Sequence, residues 1–168
     1  MKRIVILGNI SSGKTTIANL LSKRLLIPVY HLDLILFHEG KYIAIQEQIA
    51  RLSAITKQEY WIIDGNYSLT LAMRCKRADI VIFISTNRWI CAWRYIIRCI
   101  SIKMMPSRKV GKFYGGCDVL DRRALGLILG YDKIQRIRYE KVVRDNAGCR
   151  VIEVSKSKDI IQLLGNDE

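Results

Sequence analysis

The sequence predicts an α/β fold: a parallel β-sheet with helices on both faces and a phosphate-binding loop at its first strand. Three observations predict it. Apolar β-branched runs alternate with segments of helical period along the whole chain, the signature of βαβ units joined by right-handed crossovers. Gly8-Asn9-Ile10-Ser11-Ser12-Gly13-Lys14-Thr15 fits G-x-x-x-x-G-K-[ST], between a strand pattern and a helix pattern. Polar residues then fall at the ends of successive strands, where ligands bind in open parallel sheets.

The elements follow in order. Lys2-Arg3-Ile4-Val5-Ile6-Leu7 reads as a buried strand. Residues 16–25 read as a helix with Ile17, Leu20, Leu21 and Leu25 on one face. Pro28-Val29-Tyr30-His31-Leu32-Asp33 is a short second strand ending in His31 and Asp33, and 34–42, broken at Gly40, reads as a loop over the site. Ile45, Ile49, Leu52 and Ile55 mark an amphipathic helix over 44–57. Residues 59–65 form a third strand ending in an acid and a glycine. A short helix over 68–76 has Ser68 as its N-cap. Residues 78–84 are a fourth buried strand. Helical spacing of Trp89, Trp93, Ile96, Ile97 and Ile100 gives a helix from 88 to 105 that Pro106 stops, with both tryptophans in its packing. Residues 107–118 read as a basic loop. A mostly helical stretch, 121–145, is broken near Gly126 or Gly130. A fifth strand covers 149–154, and Ser155 caps a last helix over 156–164.

At 168 residues the chain reads as a single domain with a substantial core. Five cysteines, with no C-x-x-C pair, point to reduced thiols and a cytoplasmic setting rather than a disulfide framework or zinc site. The N-terminus runs straight into the first strand, so no signal peptide is expected. No apolar run approaches the ~18 residues of a membrane span, so no membrane partner is expected. Net charge is +13, and residues 88–150 hold 15 Lys/Arg against 5 Asp/Glu. Such a segment clamps polyphosphate, binds nucleic acid, or is a solvated surface; the glycine loop favours the first.

The loop chemistry sets the donor site. Gly8 and Gly13 allow backbone angles that a Cβ would block, so that the loop amides turn inward on phosphate oxygens. The helix N-terminus adds its positive dipole end. Ser11, Ser12 and Thr16 complete the nucleotide-binding set. Lys14 is placed to reach the β- and γ-phosphates of ATP, and the Thr15 hydroxyl to ligate Mg²⁺. Asp64 ends an apolar strand, as the carboxylate that orients metal waters does. Asp33 is a candidate to orient or deprotonate an acceptor hydroxyl. His31 stands beside it on the acceptor side, although a lone histidine next to a strand is often purely structural. Arg94 and Arg98, four residues apart, are candidates to neutralise transition-state charge, and Arg108, Lys109, Lys112, Arg122 and Arg123 to line a closing lid.

These residues resemble a family. The glycine loop, His31-Leu32-Asp33, Trp61-Ile62-Ile63-Asp64-Gly65-Asn66-Tyr67-Ser68, Arg74, Ala78-Asp79, Cys91, Arg94 and Arg98 together look like the DNA topology modulation (FlaR-related) proteins, P-loop kinases similar to adenylate kinase. The resemblance covers about residues 1–100. It implies the three-layer P-loop NTPase fold, with a five-stranded parallel sheet in the order 2-3-1-4-5. It also implies an acceptor-binding region near 31–58 and a basic helical lid over about 99–145. Asp64-Gly65 matches the D-G of the adenylate kinase D-G-F-P-R motif. Asn66-Tyr67-Ser68 replaces the remainder, which leaves Arg74 as the candidate to bind the acceptor with Gly65. Arg94 looks like the arginine that opens the lid.

The expected function is therefore an ATP- and Mg²⁺-dependent phosphotransferase acting on a small nucleotide or metabolite. Two alternatives stay open: a nucleotide-gated nucleic-acid-binding regulator, for which no recognition motif speaks, and ATP binding without turnover.

Overall fold

In the computed structural model, which describes residues 2–38, 41–104, 120–146 and 148–155, alternating strands and helices build one five-stranded parallel sheet. In chain order the elements are β1 (Arg3–Gly8), α1 (Lys14–Leu25), β2 (Val29–His31), α2 (Leu32–Ile35), β3 (Phe37–His38), β4 (Lys41–Tyr42), α3 (Ile45–Thr56) and β5 (Trp61–Asp64). They continue with α4 (Ser68–Cys75), β6 (Ile80–Ile84), α5 (Arg88–Met104), α6 (Arg122–Tyr131), a π-helical turn (Asp132–Arg136), α7 (Ile137–Asn146) and β7 (Arg150–Val154). The sheet runs β2-β5-β1-β6-β7, while β3 and β4 pair apart as a small antiparallel hairpin. Counted over the main sheet alone, this is the expected order 2-3-1-4-5.

The strand period of two divides the core. Val5, Leu7, Trp61, Ile63, Val81 and Phe83 face one side, against residues of α3, α4 and α7. Ile4, Ile6, Ile62, Ile80, Ile82 and Ile84 face the other, against Ile17, Ala18 and Leu21 of α1. The central strands are therefore apolar on both faces, as a doubly covered parallel sheet requires. A third cluster joins Cys91, Ala92, Tyr95 and Cys99 of α5 to Ile128 of α6, with Ile10 of the glycine loop packed against it.

Several expectations are corrected. Residues 32–35 turn into α2 because Leu32 and Leu36, both 0% exposed, are drawn into the core; Asp33 thus sits one helical step beyond its strand. The expected loop over 34–42 contains the hairpin, where the cross-strand pair Phe37 and Tyr42 packs edge to face. Ser68 is the first residue of α4, not its cap; Tyr67 holds the cap position. α6 runs through Gly126 and Gly130, and the irregularity comes later, at the π-helical turn. In that turn Arg136 binds Glu140, Ser85 and Glu153, tying it to β7 and the end of β6. Trp89 and Trp93 are 63% and 64% exposed: α5 presents Cys91, Ala92, Tyr95 and Cys99 to the core and turns the indoles outward. The basic tract 105–118 and the helix expected over 156–164 lie outside the described residues.

Gly65 follows β5 with φ +136°, and a Cβ there would stand 2.8 Å from Leu32 Cβ. The Gly65→Ala variant is expected to lose roughly 1–3 kcal/mol from the strained backbone and the overlap together. At about 2–4 °C per kcal/mol for a domain of this size, thermal denaturation should show a clear drop. An unchanged melting temperature would contradict the packing described.

Candidate active site

The glycine loop is held by residues outside its own motif. Asn66 clamps Gly8 twice: Nδ2 donates to the Gly8 carbonyl (2.8 Å), and Oδ1 accepts from Gly8 N–H (3.2 Å). Asn9, 2% exposed, donates through Nδ2 to the Ile128 carbonyl of α6 (2.8 Å) and accepts from Ile10 N–H (2.7 Å). Thr86 Oγ1 donates to the Ser12 carbonyl (3.0 Å), and Arg94 Nη1 approaches the same oxygen at 3.5 Å. Gly13, at φ +101°, takes the left-handed turn that launches α1, and Ser11 is left-handed too, at φ +59°. Three neighbouring segments thus fix the loop before any ligand arrives, so little ordering cost is left for binding.

Lys14 folds back over the loop. Its ammonium donates to the carbonyls of Gly8 (3.0 Å) and Asn9 (2.7 Å). Burial pulls its pKa below the ordinary lysine range, with the Asp64 and Asp33 carboxylates pulling the other way. Phosphate oxygens arriving beside it would favour the charged form again. Thr15 Oγ1 donates to Asp64 Oδ2 (2.8 Å), and His31 Nδ1 lies 3.1 Å from the same oxygen. Asp64 is 5% exposed, and its second oxygen, Oδ1, is buried with no hydrogen-bond partner among the described residues. A hydroxyl and a carboxylate already in contact, with one buried oxygen unsatisfied, suit a hard, oxygen-seeking cation such as Mg²⁺ held partly through water. Among the described residues no cluster of three or more His, Cys, Asp or Glu could hold a metal by itself.

These groups open on one cavity of about 990 Å³. Pockets for small ligands run from about 300 to 1,000 Å³, so it is at the roomy end. Ser11, Ser12, Gly13, Lys14, Thr15, Thr16, Asp64, Arg94 and Arg98 line it around the glycine loop, and Asp33 lines it with Phe37, Tyr42 and Tyr67. Asp33 is open to the cavity, yet the enclosing walls raise its carboxyl above the usual range; Lys14 counteracts this and Asp64 reinforces it. Tyr67 Oη donates to Asp33 Oδ1 (3.4 Å), and the burial of that phenol raises its own pKa. The Arg98 guanidinium lies 5.5 Å from the centroid of the Tyr95 ring. Burial raises the pKa of the Cys91 thiol, whose S–H donates to the Thr86 carbonyl (3.6 Å). A thiol held protonated is a structural group, not a nucleophile.

Not every expected residue reaches the cavity. Gly8 and His31 support it from behind through the contacts above, and Gly65 packs on Leu32. Arg74 is a correction. It is 0% exposed, and its guanidinium donates to the carbonyls of Gly65 (2.8 Å), Asn66 (3.0 Å) and Tyr67 (2.9 Å). Burial pushes its pKa down to about 10. It holds the loop after β5 in place and presents no donor to an acceptor phosphate. Arg122 and Arg123 sit exposed in the first turn of α6; Arg108, Lys109 and Lys112 lie outside the described residues. The residues that sequence reasoning missed are Asn66 as a clamp on Gly8, Thr86 on Ser12, and the aromatic wall of Phe37, Tyr42 and Tyr67. Only Asn66 and Tyr67 carried a signal, as the two residues after Asp64-Gly65.

No family model matches the sequence, and no curated protein does. Solved structures do resemble it. Shikimate kinase from Aquifex aeolicus vf5 is 24% identical over 98% of this chain and 97% of that one, with a TM-score of 0.59. Deoxyadenosine kinase from M. mycoides with bound dATP is 16% identical over 98% and 97%, with a TM-score of 0.55. A gluconokinase from Sinorhizobium meliloti 1021 is 14% identical over 96% and 87%, with a TM-score of 0.51. Each is a likeness of fold, and the fold is the one these P-loop kinases share.

Proposed function

We propose that this protein is an ATP- and Mg²⁺-dependent phosphotransferase that moves the γ-phosphoryl group to a hydroxyl of a small nucleotide or metabolite. The observation that carries the reading is a single cavity lined by Lys14, Thr15 and Asp64 together with Asp33. The three neighbours described above are kinases by name, which supports the class. The narrower kinship with adenylate kinase-like DNA topology modulation proteins rests on the sequence motifs alone. The whole chain would act as one domain. Cys75, Cys91, Cys99 and Cys149 are free thiols, which suits a cytoplasmic setting; among the described residues no helix is long and apolar enough to cross a membrane.

The residues have distinct roles in this reading. The loop amides and Lys14 bind the β- and γ-phosphates, and Arg94 and Arg98 flank them from α5. Thr15 and Asp64 would hold Mg²⁺, which when bound draws charge from the phosphate oxygens. Thr15 currently hydrogen-bonds Asp64, and His31 keeps that carboxylate oriented. Asp33 receives the hydroxyl proton as the acceptor oxygen bonds to the γ-phosphorus and the bond to the β-phosphate oxygen breaks, releasing ADP. Little covalent work falls to the protein; catalysis is positioning and charge stabilisation. Part of the basic charge of 88–150 serves this site through Arg94 and Arg98, and Arg136 is held in ion pairs with Glu140 and Glu153.

Purified protein with ATP and Mg²⁺ should release ADP only when a suitable hydroxyl acceptor is present, in a screen of nucleosides, nucleotides, sugars and hydroxy acids. ADP release independent of every acceptor would contradict the reading. Asp33→Asn should lower turnover by roughly 10²–10⁴-fold, the usual contribution of a positioned base. Because the Asp33 pKa is raised and the base must be unprotonated, the acidic limb of the pH–rate profile should lie above the ordinary aspartate range. Asp33→Asn should lack that limb; a limb that persists assigns it to another group.

A further inference from the structure

The acceptor end of the cavity is built differently from the donor end. Phe37 and Tyr42 meet edge to face with centroids 5.3 Å apart at 77°, and Tyr42 and Tyr67 do the same at 5.5 Å and 78°. The three rings form a continuous wall of the cavity, and its middle member, Tyr42, remains 61% exposed. A large ring open on a cavity, braced by two neighbours, is a stacking platform at low entropic cost. The wall ends at Asp33, through the Tyr67 hydroxyl.

Among the described residues, the side chains nearest the aromatic wall offer an anion no free cation of their own. Asp33 lines this region with its carboxyl group, and Asp64 acts on it electrostatically from beside Thr15; negative charges at close range repel an anion. Arg74 is turned into the core onto three backbone carbonyls. Arg51 of α3 donates to Glu47 and to the Ile35 carbonyl. Among the described residues the cations that line the cavity are Lys14, Arg94 and Arg98, from the glycine loop and α5. Lys14 and Arg98 also act on Asp33, but in the phosphotransferase reading the donor phosphates occupy them.

We propose that the acceptor is a phosphate-free ring compound of nucleoside size, its ring stacked on the Tyr42–Tyr67 wall and its hydroxyl placed at Asp33. This rests on the phosphotransferase reading and narrows it: the chain phosphorylates a nucleoside-like alcohol, not a nucleoside monophosphate. Stacking on an aromatic side chain tolerates any base, so the wall selects flat rings as a class rather than one ring.

Binding tests this apart from turnover. Isothermal titration uses unphosphorylated nucleosides and their 5′-monophosphates as probes, on the full chain and its Tyr42→Leu and Tyr42→Phe variants, with ATP titrated separately into each. At least one nucleoside should bind, and its 5′-monophosphate should bind at least tenfold more weakly. Tyr42→Leu should weaken nucleoside binding about tenfold, and Tyr42→Phe should restore it to within about threefold. ATP affinity should be the same in all three. A monophosphate that binds as tightly as its nucleoside, nucleoside affinity untouched by Tyr42→Leu, or no nucleoside binding at all would each overturn the inference. ADP release judges the broader reading separately. Phosphorylation of a monophosphate or a ring-free alcohol leaves that reading standing and sinks this one. Nucleoside binding with the Tyr42 dependence but no ADP release does the reverse.

Discussion

Lys14→Ala is expected to abolish phosphoryl transfer and leave the fold in place. The ammonium is held at the carbonyls of Gly8 and Asn9, where donor phosphates would lie, and it is the one lysine lining the cavity among the described residues. Removing a single pre-placed donor from a developing charge costs about 10²–10³-fold in turnover, and Lys14 supplies a full charge as well, so the loss should reach at least the upper end. Stability should change by no more than about 1 kcal/mol. The variant loses two hydrogen bonds but also relieves the burial that depresses the Lys14 pKa. Steady-state ADP release with circular dichroism on the same sample checks both halves. Undiminished turnover by a folded Lys14→Ala protein would remove Lys14 from the mechanism.

Arg74→Leu is expected to show the opposite signature: it should destabilise the protein rather than silence it. Three buried carbonyls, those of Gly65, Asn66 and Tyr67, lose their donor at once. That loop carries Asn66, whose amide clamps Gly8, so the damage spreads to the phosphate-binding loop. Breaking a buried, charge-assisted network from one side costs about 3–5 kcal/mol. For a domain of this size that is a fall in melting temperature of roughly 6–20 °C. An arginine that bound an acceptor phosphate would behave otherwise: its variant would melt normally and show a raised KM. Thermal denaturation and kinetics of Arg74→Leu therefore separate the two roles.

The contrast between Lys14 and Arg74 marks what the sequence could reveal. Lys14, Thr15 and Asp64 were legible because their geometry is local. A strand, a glycine loop and a helix fix Lys14 and Thr15 within a few residues, and a carboxylate ending the neighbouring strand β5 falls beside them through the sheet register, in which Ile6 pairs with Asp64. The sheet order was legible for the same reason, once the resemblance supplied the topology. Arg74 was not, because its direction depends on how α4 packs under the loop after β5, which no periodicity encodes. The tryptophans of α5 misled for a related cause. Their helical spacing matched a buried stripe, but Cys91, Ala92, Tyr95 and Cys99 form the face that reaches the core. The hairpin of Phe37–His38 and Lys41–Tyr42 was hidden because two-residue strands carry no alternation to read, and with it went the aromatic wall of the cavity.

Transfer between two molecules bound in one cavity is read out by following the γ-phosphate. With ATP labelled at the γ-phosphate, Mg²⁺ and a panel of hydroxyl acceptors, the label is predicted to appear in a phosphorylated acceptor at the rate of ADP formation. It should vanish from that product in Lys14→Ala and fall by at least about 10²-fold in Asp33→Asn. Label recovered only as inorganic phosphate, or retained in ATP with every acceptor, would contradict the account.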